Sequence, residues 1–199
     1  MARFTEKLNQ RMGDSSSSHA WFDTLSGCNA QMSPEDRRQI IAAEGWLELG
    51  NIIQCLDELN GITSSKHSHP AVLALYWRVH AETNNWEAAY HAAEMLCLVI
   101  PNEPQPWLWR AKSLKHMTAT GTAAAIELLA VAATRFPEEP LIAFTNALYT
   151  CELMRFDESH SWWKAALNIA KRQGTEKQWK IKALTHPGLQ PLWHCQLAA

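Results

Sequence analysis

The 199-residue chain is 47% apolar and carries 18 basic against 20 acidic side chains, a net charge of −2. That supports a sizeable core and, lacking a basic excess, excludes general nucleic-acid binding. Five cysteines, Cys28, Cys55, Cys97, Cys151 and Cys195, are odd in number, far apart and never in a C-x-x-C pair, which predicts reduced, mostly buried thiols and a cytoplasmic setting.

Residues 1–31 are polar, with Ser15-Ser16-Ser17-Ser18 and no apolar run long enough for a signal or membrane span, and they predict a disordered or loosely docked N-terminal arm. Trp21-Phe22 would be its anchor. At Ser33-Pro34-Glu35-Asp36 a capping serine, a proline and two acids predict a helix start. That helix is expected to run towards Glu44. After Gly45 a second one would carry Trp46, Leu49, Ile53, Leu56 and Leu59 at intervals of three, four, three and three. Asn60-Gly61 would end it through the left-handed conformation that both residues tolerate.

The loop over residues 63–69 holds His67 and His69, an H-x-H pair with no further ligand nearby, so solvated histidines are expected and no metal. Residues 70–82 read as a helix, and Asn84-Asn85 as a turn. Trp86, Ala89, Ala93, Leu96 and Val99 then repeat the three, four, three, three spacing, and Pro101 stops the helix. A third hairpin pairs residues 107–117 with a helix through Thr122, Ala125, Leu129, Ala132 and Phe136, closed by Pro137. In the fourth, residues 141–154 precede a helix bearing Phe156, Ser159, Trp163, Ala166 and Ile169 at the same intervals. Ten tryptophans against three tyrosines fit a packing role at corresponding places of a repeat.

Prolines 70, 101 and 137 lie 31 and 36 residues apart, and Trp86 and Phe156 lie 70 apart. A helix-turn-helix unit of about 34 residues is the tetratricopeptide length. The predicted organisation is an all-α array over residues 32–172, with hairpins near 33–60, 70–100, 104–136 and 140–171. Residues 173–199 would form a capping helix and tail over the last apolar face.

Five stretches carry a family resemblance: AAEGWLELGN (42–51), HPAVL (69–73), PWLWRAKSL (106–114), RFPEEPLIAFTNALYTCEL (135–153) and ALTHPGLQPLW (183–193). On these the chain resembles the bacterial tetratricopeptide-repeat proteins, and within them a group of small ones with an HPxLxPLW-type tail. The resemblance implies a right-handed superhelix of paired helices, with a concave groove lined by the first helix of each hairpin, and no chemistry. Two positions depart from the pattern: Met154 stands where a turn glycine is common, and Thr145 where an asparagine is common, which bears on whether Asn146 faces the groove.

No G-x-S-x-G, P-loop, glycine-rich nucleotide turn or H-E-x-x-H is present, so no enzyme and no cofactor are expected. A nucleophilic Cys97 or Cys151 beside His91 or His116 is the formal alternative, against burial as small core residues. A binding role has more support. Arg78, Arg110, Lys112 and Lys115 recur on consecutive first helices, with His80 and His116 beside them. As a basic groove they would hold the C-terminus or acidic side chains of an extended peptide, with Leu108, Trp109, Phe144 and Leu148 as apolar pockets and Asn146 among the contacts. Otherwise these bases are solvated or paired with Glu82, Glu87 and Glu103. The expected function is a protein-interaction scaffold, monomeric or weakly dimeric, acting on neither nucleic acid nor membrane. The alternative is a chaperone for a secreted or assembling substrate.

Overall fold

The computed structural model describes the backbone of residues 32–197 and the side chains of residues 32–193; the arm expected over residues 1–31 lies outside them. The described chain is all-α. Its helices are α1 (Pro34–Glu48), α2 (Ile52–Gly61), α3 (Pro70–Glu82), α4 (Trp86–Val99), α5 (Gln105–Met117), α6 (Gly121–Arg135), α7 (Pro140–Glu152), α8 (Phe156–Arg172), α9 (Glu176–Thr185) and α10 (Gln190–Leu197). Short 3-10 turns lie at Ser64–Lys66 and Pro187–Leu189.

Four of the turns share one device. Gly50, Asn84, Met154 and Gly174 have φ of 75°, 57°, 61° and 71°, the left-handed region that ends helices. In each case the next residue donates its N–H five residues back: Asn51 to Trp46 at 2.9 Å, Asn85 to His80 at 2.8 Å, Arg155 to Thr150 at 2.9 Å and Thr175 to Ala170 at 2.8 Å. The α5–α6 turn works differently. There Gly121 is buried, and a Cβ on it would overlap the carbonyl oxygens of Leu114 and Lys115, so only glycine lets the two helices approach this closely.

The expected boundary at Gly45 is wrong. Gly45 lies inside α1, which continues to Glu48, and the break falls at left-handed Gly50. Asn51 then caps α2, its side chain accepting from the Gln54 N–H. The stripe drawn from Trp46 to Leu59 therefore crosses two helices. Leu49 and Ile53 point to solvent; Leu59 is buried as expected, and Cys55 and Ile62 join it. Nor does Gly61 end α2 with positive φ; it makes room for the Gln39 side chain of α1, which a Cβ there would strike.

By contacts the chain forms two compact units, divided after Val79. In the first, α1 packs on α2, and a polar clasp ties the start of α1 to the residue after α2. The Asp36 carboxylate accepts from the Ser33 hydroxyl at 2.8 Å, the Thr63 N–H at 2.9 Å and the Thr63 hydroxyl at 3.0 Å. These donors, the Thr63 N–H foremost, hold its pKa below the usual carboxylate value. A second tie joins Arg78 to Glu44 at 2.9 Å.

In the second unit α4 packs on α5, α5 on α6, α6 on α7 and α7 on α8. The stripes here follow the expected spacing. Ala89, Ala93 and Leu96 on α4, Ala125, Leu129 and Ala132 on α6, and Ser159, Trp163, Ala166 and Ile169 on α8 are all buried. Only Val99 at the end of α4 is exposed. The buried Ser159 hydroxyl is satisfied, donating to the Ala147 carbonyl at 2.7 Å. After Gly174, α9 lies on α8 and the Pro187–Leu189 turn on α7. Leu189 and Leu192 enter a core with Phe144, Ala147 and Trp163, and the Trp193 indole N–H donates to the Ala183 carbonyl at 3.3 Å.

Two predictions follow from these turns and clasps. Met154 pays the Cβ–carbonyl cost of the left-handed conformation while its side chain is exposed, so Met154→Gly raises stability by about 1 kcal/mol in urea unfolding. Asp36 has a depressed folded pKa, so its stabilisation is present above the unfolded value of about 3.9 and fades as pH falls through the folded value. Asp36→Asn accordingly lowers Tm at pH 7, and the gap to wild type closes as pH falls below about 4.

Candidate functional site

The cations proposed from the sequence sit half-buried on the first helices and are engaged with neighbours. On α5, Arg110 Nη2 donates to the Tyr90 hydroxyl at 2.6 Å and to Glu94 Oε1 at 2.9 Å, with its guanidinium carbon 4.9 Å from the Tyr90 ring centre. Both partners are on α4, so Arg110 is a bolt between the helices of α4 and α5. Its Nε is buried without a partner. Lys115, one turn further along α5, reaches α7: its ammonium bonds the Glu152 carboxylate and lies 4.7 Å from the Tyr149 ring centre. Lys112 is half-buried on the same helix. Arg78 belongs to the first unit and pairs with Glu44. The partners of Arg78, Arg110 and Lys115 are thus Glu44, Glu94 and Glu152.

The apolar candidates divide. Leu108 and Phe144 are buried, Leu108 in the core shared by α5, α6 and α7. Phe144 is edge-on to Trp163, Trp179 and His186 at 6.2, 5.3 and 5.9 Å between ring centres. Lys182 of α9 sits above the same Phe144, 5.3 Å away, and 4.8 Å from Trp179. Leu148 is partly buried between the two cores of the second unit, and Gly188 of the C-terminal turn lies close against it. The C-terminal segment therefore covers the α7 surface at Phe144 and borders it at Leu148, which stays half-buried.

Asn146 is 0% exposed. Neither its amide nitrogen nor its oxygen has a hydrogen-bond partner, an arrangement that costs stability. It lies on the face of α7 shared with Ile142 and Tyr149, which pack in the core with α5 and α6.

The chemistry of the thiols and histidines does not suit catalysis. Burial pushes the Cys55 and Cys97 thiols up to about 11, the reverse of an activated nucleophile, and Cys151 is buried. His116 stacks on Trp86 with ring centres 4.4 Å apart. Burial first, then Lys115 and Lys112, keep its pKa low. The stack borders a shallow cleft of about 320 Å³ with Asn84, Asn85, Glu87 and Met117. His67 bonds the Ile62 carbonyl at 3.1 Å, and the His69 ring nitrogen accepts from the Ala71 N–H at 3.3 Å. Among the described residues no group of three or more side chains could hold a metal ion, and no helix is long and apolar enough to cross a membrane.

Sequence reasoning missed Tyr90, Tyr149 and Lys182. The first two lie under the α5 cations; the third lies over Phe144 of α7 and Trp179 of its own helix. The contacts with Arg110, Lys115 and Phe144 join residues on different helices, so local spacing gives no sign of them.

No protein-family model matches the sequence, and no curated protein does. Solved structures do. PilF of Pseudomonas aeruginosa superposes with a TM-score of 0.58 at 13% identity, covering 96% of this chain and 93% of PilF. A thermophilic TPR protein of Thermus thermophilus gives 0.55 at 12% identity, covering 82% of this chain and 97% of its own. MamA gives 0.53 at 8% identity, covering 78% and 95%. At such identities the likeness concerns the backbone alone, and it agrees with the hairpins, the turns and the period: the chain has the all-α fold of the tetratricopeptide-repeat proteins.

Proposed function

We propose that the protein is a non-enzymatic scaffold that holds an acidic segment of a partner protein against α5 and α7. Repeat folds of paired helices present extended surfaces suited to such segments. The observation that carries the proposal is the Lys115 contact. Its ammonium is held over the Tyr149 ring, while the carboxylate that neutralises it, Glu152, is 48% exposed. An ion pair this open is worth about 0–1 kcal/mol, so an incoming carboxylate can take the place of Glu152 at little cost and keep the ring contact.

Lys112 on α5, and Thr145 and Leu148 on α7, offer the remaining half-buried surface along these helices. Phe144, Leu108 and Asn146 act in this scheme as internal packing. Arg110 acts as a joint that holds α5 to α4. The segment from Gln173 onward closes the apolar face of the last hairpin and limits the track at Leu148. A chaperone role for a secreted substrate finds no feature of its own in these helices.

Binding to an array of peptides ending in Asp or Glu, read by fluorescence anisotropy, tests the proposal. Lys115→Ala weakens the best binder about tenfold, the equivalent of about 1.4 kcal/mol, and Glu152→Gln, which releases the ammonium, strengthens it. Both effects shrink as salt rises. Arg110→Ala lowers stability by about 1–2 kcal/mol and leaves affinity nearly unchanged. If Lys115→Ala and Glu152→Gln bind the array as the wild type does, the proposal fails.

A further inference from the structure

Three of the four most exposed large apolar side chains among the described residues fall between positions 41 and 53: Ile41 at 70%, Leu49 at 77% and Ile53 at 72%. Single exposed apolar residues are ordinary; three so close in sequence are not. Ile41 on α1 and Leu49, which caps the C-terminal end of α1, lie eight positions apart and hence on one face, with Gly45 midway between them. No atom lies within 4 Å of where a Gly45 side chain would begin. The face is thus a bare indentation flanked by two apolar side chains, and Ile53 follows it in the first turn of α2.

The chain itself supplies a cover. Thirty-one residues precede Met32, and their entry point is fixed at this hairpin: Met32 is buried, and its carbonyl accepts from Arg37 Nε and Nη2 at 3.2 and 3.0 Å. We propose that Trp21 and Phe22 of this N-terminal segment seat on the Ile41–Gly45–Leu49 face of α1. Nine residues separate Phe22 from Met32, and the ten steps between them can span at most about 35 Å. Ile41 and Leu49 lie about 14 and 26 Å along the helix from that point, so both are within reach.

Trp21-Phe22 is the bulkiest apolar pair in the segment, and its surroundings are polar: Ser15 to Ser18 before it, Asp23 and Thr24 after it. Tethering decides between occupants. A segment joined by about ten residues is present at an effective concentration on the order of millimolar, far above that of a second copy or a partner.

The test is a double-mutant cycle in the full-length chain, pairing Trp21→Ser/Phe22→Ser with Ile41→Ser/Leu49→Ser and reading Tm together with amide exchange in α1. Each pair lowers Tm, each raises exchange in α1, and the combined variant falls no further than the worse of the two. Additive shifts, or no shift from Ile41→Ser/Leu49→Ser, would overturn the proposal. So would a dimer in light scattering that the Ile41→Ser/Leu49→Ser pair abolishes, since the face would then be covered by a second copy. Ile41 in α1 and Leu49 at its end are both exposed, so circular dichroism should show the helices retained throughout.

Discussion

Four turns of the structure depend on a single residue taking the left-handed conformation. At Gly50, Asn84, Met154 and Gly174 that residue turns the chain, and the following N–H closes on a carbonyl five residues back. This satisfies carbonyls that a helix end leaves open, and it fixes where the next helix begins and so which of its positions face inward. Everything downstream inherits that phase. When Met154 performs the task in place of glycine, the geometry is kept at the expense of local strain.

Where the turn could be placed from sequence, the buried face followed. Asn84-Asn85 announces a turn, and in the stripe that follows Ala89, Ala93 and Leu96 are buried as spaced, with Trp86 half-buried at its start. The stripes through Ala125 and Trp163 behave alike. In the first hairpin the break falls at Gly50 and not at Gly45. Gly45 and Gly50 are equally plausible breaks by residue type, and the difference lies in Asn51, which can cap α2 only if the turn is at Gly50. Starting five residues early put Leu49 and Ile53 on the inner face when they lie on the outer one. Glycine identity also misleads at Gly61, which is small for the sake of Gln39 on another helix, a reason that no local pattern contains.

The candidate site was less legible, because helical spacing reports which face a residue occupies and not what lies opposite. Helical spacing shows Arg110 and Lys115 only as cations of a first helix, yet their character comes from Tyr90 and Glu94 in the one case and Tyr149 and Glu152 in the other. Asn146 and Phe144 are the sharper cases. Their residue types suit a groove, but α7 is covered on several sides, and its one half-buried line of Leu141, Thr145 and Leu148 excludes both. The Cys55 and Cys97 thiols show the converse: burial outweighs the nearby charges, Arg78 for Cys55 and Arg110 first for Cys97, and raises their pKa values.

A non-local rule does emerge from the polar contacts. Arg78 meets Glu44 34 residues away, Arg135 meets the Pro101 carbonyl 34 away, Gln173 meets the Glu138 carbonyl 35 away, and Lys115 meets Glu152 37 away. Each joins elements about one repeat apart. A period that places apolar stripes also brings every position near its counterpart in the next unit, so opposite charges at that separation become neighbours. Such pairs near the surface add little stability individually, but they hold adjacent units in register. The same periodicity also sets the half-exposed Glu152 of α7 beside Lys115 of α5, the contact on which the proposed binding of an acidic segment rests.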